Sequence, residues 1–157
     1  MRPLAVTCAG SAAEYGDFSL RLDYRIPKGG NSGVGIRFPD KGDPAHDGME
    51  IQILDDAADE YKNLDPAQYN GGIYYQSAAM TKAAKAPGEW NTYQICAKGP
   101  KIWIKLNGVQ VQRVNVEDFM VGRGGHTALA ARPRKGHVGM QSHGHQVDFR
   151  NIKIREL

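Results

Sequence analysis

Residues 18–26 alternate without a break: Phe18, Leu20, Leu22, Tyr24 and Ile26 are apolar, while Ser19, Arg21, Asp23 and Arg25 between them are polar. Period-two alternation places the two sets on opposite faces of an extended chain, which predicts a half-buried β-strand. Gly29-Gly30 turns the chain, and Val34, Ile36 and Phe38 then alternate with Gly33, Gly35 and Arg37. Met49, Ile51 and Ile53 repeat the pattern and set Glu50 and Gln52 opposite the core. Further strands are expected at 72–75 and 90–97, through Ile102, Ile104 and Leu106, through Val109 and Val111, and at 138–143 and 147–154. Asn107-Gly108 lies between two of these runs and marks a tight hairpin, because a type I′ turn needs positive φ at both central positions. In the last strand the apolar phase slips between Phe149 and Ile152, which predicts a bulge.

No segment carries a helical period. Ala78 to Ala86 is rich in small residues but offers no apolar face. About eight strands without an internal repeat point to an all-β sandwich or barrel. The connections 55–70 and 112–136 are longer than ordinary loops, and loops of that length in a domain commonly bind or cover ligands.

The 157 residues suit one domain spanning 1–157. The hydrophobic share of 41% is low because 19 glycines replace side chains, and glycine without a collagen period means many turns. A net charge of +3 gives no field that calls for nucleic acid, and the run Arg132-Pro133-Arg134-Lys135 is expected to be a solvated loop. Cys8 and Cys96 make neither a disulfide framework nor a metal motif, and Cys96, inside a strand pattern, is expected as a buried free thiol. No apolar run approaches the ~20 residues of a membrane helix. The stretch from Met1 to Cys8 is shorter than the ~7–15 apolar residues of a signal core, so no export signal is expected within the chain.

Candidate chemistry gathers on the polar phase. Glu50 and Gln52 lie about 6.5–7 Å apart on one sheet face, with Asp55 at the strand end. Arg37, Gln141 and His143 take the same phase on their own strands. A face of this kind either holds a polar ligand such as a carbohydrate or merely keeps an outer sheet surface soluble. His143 and His145 form a His-x-His pair, but zinc needs a third ligand and none is evident, so no metal site is expected. Trp103 is expected in the core, Trp90 is open between core and sugar platform, and of Tyr74 and Tyr75 one should face the core and one the site. His126 and His137 are expected in loops.

An ordered set of motifs sharpens this picture. Tyr15-Gly16-Asp17-Phe18, Gly30-Asn31-Ser32-Gly33, Gly42-Asp43-Pro44, Met49-Glu50-Ile51-Gln52-Ile53-Leu54-Asp55 and Gly88-Glu89-Trp90-Asn91 occur in sequence. Leu106-Asn107-Gly108, Gly139-Met140-Gln141-Ser142-His143-Gly144 and Val147-Asp148-Phe149-Arg150-Asn151-Ile152 complete the series. Together they resemble the 3-keto-disaccharide hydrolase family. The resemblance implies a concanavalin-like jelly-roll sandwich of two antiparallel sheets acting on glucosides oxidised at C3. It also implies a periplasmic or secreted protein whose partner is a carbohydrate, while the small net charge and the lack of a long apolar run leave no nucleic acid or membrane partner expected. No cofactor is expected, although a structural divalent cation is compatible with such a fold.

Glu50-x-Gln52-x-x-Asp55 is also similar to the E-x-D-x-x-E strand of laminarinase-like glycosidases, with an amide in the middle. Retaining hydrolysis needs two carboxyl groups about 5–5.5 Å apart, which this pattern does not favour. A 3-keto group instead acidifies the C2 proton, so base-initiated elimination becomes available beside hydrolysis. Glu50 is the expected base, Arg37 or His143 the stabiliser of the oxyanion, and Asp55 or His143 the acid for the leaving group. Asn31, Ser32, Arg37, Gln52, Tyr74, Trp90 and Gln141 are the expected substrate-binding residues. A non-catalytic carbohydrate-binding domain on the same sandwich remains the alternative. Proteins of the family usually carry strands before the Tyr-Gly-Asp-Phe motif, and here only 14 residues precede it. Residues 1–14 are therefore expected to be poorly ordered or to share a strand with a second copy, giving a homodimer through an exposed sheet edge.

Overall fold

Alternation of the kind seen at 18–26 recurs in strand after strand of the computed structural model, which describes residues 1–4 and 10–157 together with the backbone of Val6 and Thr7. Cys8 lies outside the described residues. The strands are β1 (Arg2–Pro3), β2 (Val6–Thr7), β3 (Gly10–Ser11), β4 (Phe18–Arg25), β5 (Asn31–Phe38) and β6 (Met49–Leu54). They continue with β7 (Asn91–Lys98), β8 (Lys101–Leu106), β9 (Val109–Asn115), β10 (His137–Ser142) and β11 (Asp148–Glu156). Six strands form one sheet in the order β1-β11-β4-β7-β8-β9, and three form the facing sheet in the order β10-β5-β6. Every pairing is antiparallel. This is a jelly-roll sandwich of two antiparallel sheets.

Apolar residues of the two inner faces meet between the sheets. Phe18, Leu20, Leu22 and Tyr24 of β4 oppose Val34 and Ile36 of β5 and Ile51 and Ile53 of β6, all essentially inaccessible to water. Each such side chain contributes roughly 1.5–3 kcal/mol by leaving water. Polar atoms inside are tied down. The Tyr93 hydroxyl crosses the core to donate to Gln52 O at 2.7 Å, and Asn70 joins the Tyr24 hydroxyl to the Leu54 amide.

Turns and bulges follow local chemistry. Asn107 and Gly108 both have positive φ (52° and 84°), as a type I′ hairpin demands. The β11–β4 register shifts between Arg150 and Lys153, with Asn151 at φ 53°, where the apolar phase slips. A second bulge falls at Arg37, also at φ 53°, where the register jumps from Val138–Ile36 to His137–Phe38.

Several expectations are corrected. Residues 72–75 form bridges at Ile73 alongside β6 rather than a full strand. A single helical turn, α1 (Pro44–Asp47), has no counterpart in the sequence reading; Asp43 caps it by accepting from the Ala45 amide at 2.8 Å, and Pro44 sits in its first turn. Beyond the expected strands, Arg2–Pro3 pairs with β11 at the edge of the six-stranded sheet. Trp103 and Cys96 are paired neighbours on the outward face of the six-stranded sheet, each half-buried, so neither belongs to the core. Their parity explains this: Ile102, Ile104 and Ile95 take the inward positions. Burial still raises the Cys96 thiol pKa.

Candidate active site

The outer face of the three-stranded sheet has a floor made by glycine. In register across the strands, Gly33 lies between Gln141 of β10 and Gln52 of β6, and Gly35 lies between Gly139 and Glu50. A Cβ at Gly33 would stand 2.7 Å from Glu50 Cγ and collide with the carboxylate, while one at Gly35 would strike Pro44 at 2.8 Å. The missing side chains thus let Glu50 lie across β5 and let α1 approach the sheet. What remains is a cleft of about 260 Å³ lined by Asn31, Asp43, His46, Glu50, Gln52, Tyr74, His126, Gln141 and His143, with Ala45 at its edge.

Glu50 is 3% exposed, and its carboxylate has no hydrogen-bond or ion-pair partner among the described residues. Burial, with Asp43 adding like charge, raises its pKa to about 7. Beside it, the side-chain carbonyl oxygens of Gln52 and Gln141 are buried without a partner among the described residues. Buried amide oxygens are normally satisfied by protein or water, so these two, like Gln76 Oε1 outside the cleft, are free to accept from a water or a ligand hydroxyl. Sugar hydroxyls are donors of that kind.

An aromatic wall closes one side. His126 stacks on His46 with centroids 3.9 Å apart, and Tyr74 and Tyr75 pack on His126 at 5.8 and 5.1 Å. His126 Nδ1 lies 2.9 Å from Ala45 O. Opposite a carbonyl that nitrogen must carry the proton, so Nε2 of the neutral ring keeps its lone pair. Burial, then His46 and Arg132, lower the His126 pKa and keep the ring neutral. Tyr74 accepts from Gln68 Nε2 at 3.1 Å, and burial raises its pKa, so the phenol stays protonated with its O–H available.

Of the residues expected from sequence, Glu50, Gln52, Asn31, Tyr74, Gln141 and His143 come together here, His143 at the exposed rim. Four do not. Arg37 is turned away by its bulge and is fully buried, donating to Gly16 O at 2.9 Å and Gly99 O at 2.7 Å, with Asp17 at 3.4 Å. Asp55 points away from the cleft to accept from the Gly29 amide at 2.9 Å. Ser32, inward by strand parity, donates to Gln141 O at 2.7 Å. Trp90 lies under the guanidinium groups of Arg150 and Arg25, at 3.8 and 4.8 Å. Tyr75 is not in the core either, being half-buried beside His126.

Sequence reasoning misses Asp43, His46 and His126 as parts of the site. The Gly42-Asp43-Pro44 helix start is the one available signal, and nothing local marks His126 in its long loop. Arg132, from the run expected to be solvated, is 5% exposed and holds that loop by donating to Ala45 O and Gly48 O at 2.8 and 2.9 Å. His143 and His145 are both exposed beyond the end of β10. Among the described residues no group of three or more His, Cys, Asp or Glu gathers to hold a metal. No helix among them is long and apolar enough to cross a membrane.

The model of the 3-keto-α-glucoside-1,2-lyase-like domain matches residues 9–155. The chain belongs to that family. A curated relative, the 3-keto-disaccharide hydrolase of Bacteroides thetaiotaomicron, is 24% identical over 175 residues, covering 93% of this chain. The chain spans 60% of that relative's length. A crystal structure from Parabacteroides distasonis, described as a candidate glycosyl hydrolase, is 31% identical with a TM-score of 0.86, covering 99% of this chain and 90% of that one. A second such structure from the same organism is 25% identical with a TM-score of 0.75, over 94% of this chain and 75% of that one. A carbohydrate-binding module from Bacillus subtilis shares the fold at 15% identity and a TM-score of 0.59, over 99% and 92% of the two chains. Membership of the family makes this a carbohydrate-related domain.

Proposed function

We propose that the domain cleaves the glycosidic bond of 3-keto-glucosides by elimination begun at Glu50. Glu50 carries the proposal: a buried carboxylate without a partner among the described residues, in a polar cleft whose two amide oxygens also lack partners among them. A pKa of about 7 makes it a fair base at neutral pH that still spends part of its time ionised. Glu50 takes the proton from C2, and the C–H electrons form the C2=C3 bond as the ketone becomes an enolate. Neutral donors stabilise the enolate oxygen, since no lysine or arginine among the described residues lines the cleft: the Tyr74 hydroxyl and the side-chain amides of Gln52 and Gln141.

The enolate then re-forms the C3 carbonyl, its electrons make C1=C2, and the C1–O bond breaks. The aglycone oxygen leaves with a proton donated by His143 at the open rim. Water added across the new double bond completes net hydrolysis. His126 Nε2 accepts from a sugar hydroxyl, and the stacked imidazoles give the ring a flat wall. Direct double displacement is not supported: Asp55, the expected second carboxyl, faces away from the cleft, and Asp43, the other carboxylate there, is held by capping the Ala45 amide.

The test uses a chromogenic 3-keto-glucoside with and without deuterium at C2. Release slowed by deuterium, together with a trapped 1,2-unsaturated keto sugar, supports elimination. Release insensitive to deuterium overturns it in favour of hydrolysis. Binding without any release overturns catalysis and leaves a carbohydrate-binding domain.

A further inference from the structure

The opposite side of the molecule is built differently. On the outward face of the six-stranded sheet, Lys98 pairs with Lys101, and Lys105, Gln94, Arg21 and Lys153 share one row across four strands. Arg113 is the cross-strand neighbour of Trp103, and Arg155 that of Ser19. These seven cations are all exposed, and none has an ion-pair partner among the described residues. Carboxylates near this face are each held by an arginine: Asp23 by Arg150, Asp148 by Arg25 and Asp17 by Arg37. The chain as a whole is only +3, so charge is strongly segregated onto this face.

Three adjoining depressions cross the strands. One of about 190 Å³ lies between Lys101, Arg113 and Trp103. A second, about 320 Å³, runs on from the other side of Trp103 to Arg21 and Lys105. A third, about 540 Å³, continues from Arg21 to Lys153, with Met1, Asn151 and the Asp23 carboxylate, itself paired with Arg150, also on its walls. The track runs from β9 to β11, about 19 Å at the usual inter-strand spacing. Among the described residues, Trp103 is the only half-exposed aromatic ring along it that no cation already covers.

We infer that this face is a second binding site, separate from the Glu50 cleft, for an acidic polysaccharide chain lying across the strands. Cations in rows match repeated carboxylates on a linear polymer, and the indole between two depressions offers a stacking surface to a sugar ring. The alternatives fit less well. Single-stranded nucleic acid needs a platform for successive bases, and here one ring is free. A lipid surface needs a broad projecting apolar face, whereas among the described residues along these depressions Met1 is the one exposed large apolar side chain, beside the half-buried Trp103.

The experiment is titration of the full chain with galacturonate oligosaccharides, beside uncharged glucose oligomers, single-stranded DNA and phosphatidylglycerol vesicles. The expected result is galacturonate binding that weakens as salt rises, with no binding of the uncharged oligomers. Trp103→Ala should weaken it about tenfold, Trp103→Phe should recover most of the loss, and Lys105→Gln with Arg113→Gln should weaken it at least as much. The two glutamines replace exposed side chains without ion-pair partners, so folding and 3-keto-glucoside turnover should stay at wild-type levels. Absence of galacturonate binding, or binding indifferent to both sets of variants, overturns the proposal. DNA or vesicles bound as tightly as the galacturonate oligomers overturn it too.

Discussion

Arg37 and Glu50 are both buried charged residues on the three-stranded sheet, and they differ in one respect. Arg37 is fully buried with its guanidinium donors satisfied by Gly16 O, Gly99 O and Asp17. Glu50 is 3% exposed with nothing among the described residues bound to its carboxylate. A saturated buried charge locks two chain segments together, whereas an unsaturated one keeps its reactivity and weakens the fold. Burial alone therefore separates neither structural from chemical residues; the state of the hydrogen bonds does.

Replacing Glu50 should break the comparison most visibly. Glu50→Gln keeps the shape but removes the basic lone pair, and turnover should fall roughly 10²–10⁴-fold while substrate affinity hardly changes. Calorimetric binding and steady-state rates on the same variant check both halves. Stability should move the other way. The wild-type carboxyl titrates at about 7 when folded and near 4.5 when unfolded, so the folded state holds the extra proton between those values. Wild-type stability is accordingly lost as pH rises from about 4.5 to 7, and Glu50→Gln escapes that loss. Above pH 7 the variant should be more stable by on the order of 3 kcal/mol, and below pH 4 equally stable. Denaturant melts across that range measure the difference.

Arg37→Met sharpens the other side. It strands the Gly16 and Gly99 carbonyls and should cost about 2 kcal/mol of stability, with turnover per folded molecule unchanged. An Arg37→Met variant that melts normally but turns over slowly would place Arg37 in the chemistry after all. Gly33→Ala is the subtlest change. Its methyl group crowds Glu50 from Cγ to the carboxylate, all on one flexible side chain, so the fold should survive while turnover drops about tenfold. The same substitution should shift the pH at which activity half-appears, read from the rate profile.

Alternation carried most of the fold, because a half-buried strand writes its two faces directly into the residue order. It also aligned Glu50, Gln52 and Gln141 on one face. Arg37 shares their phase, and what moves it is a single left-handed residue at a bulge, which no period-two pattern reveals. For Trp103, size and apolarity suggest the core, while its phase with Lys101 and Lys105 already points outward. His46 and His126 are hidden for another reason. They arrive from a one-turn helix and a long loop, and only tertiary packing through Arg132 and Ala45 O brings their rings together.

That shared carbonyl has a consequence for motion. Ala45 O receives both His126 Nδ1 and Arg132 Nη1, so the loop and α1 are joined through one peptide group. The amides of Asp47 and Gly48, bonded within the helix, and those of His126 and Arg132, bonded within the loop, therefore belong to one opening unit. Hydrogen exchange in the two segments should rise and fall together, at a rate well above that of β4 and β7 in the core. Each such opening should break the stack of His126 on His46, so one peptide group sets how long the aromatic wall stays assembled.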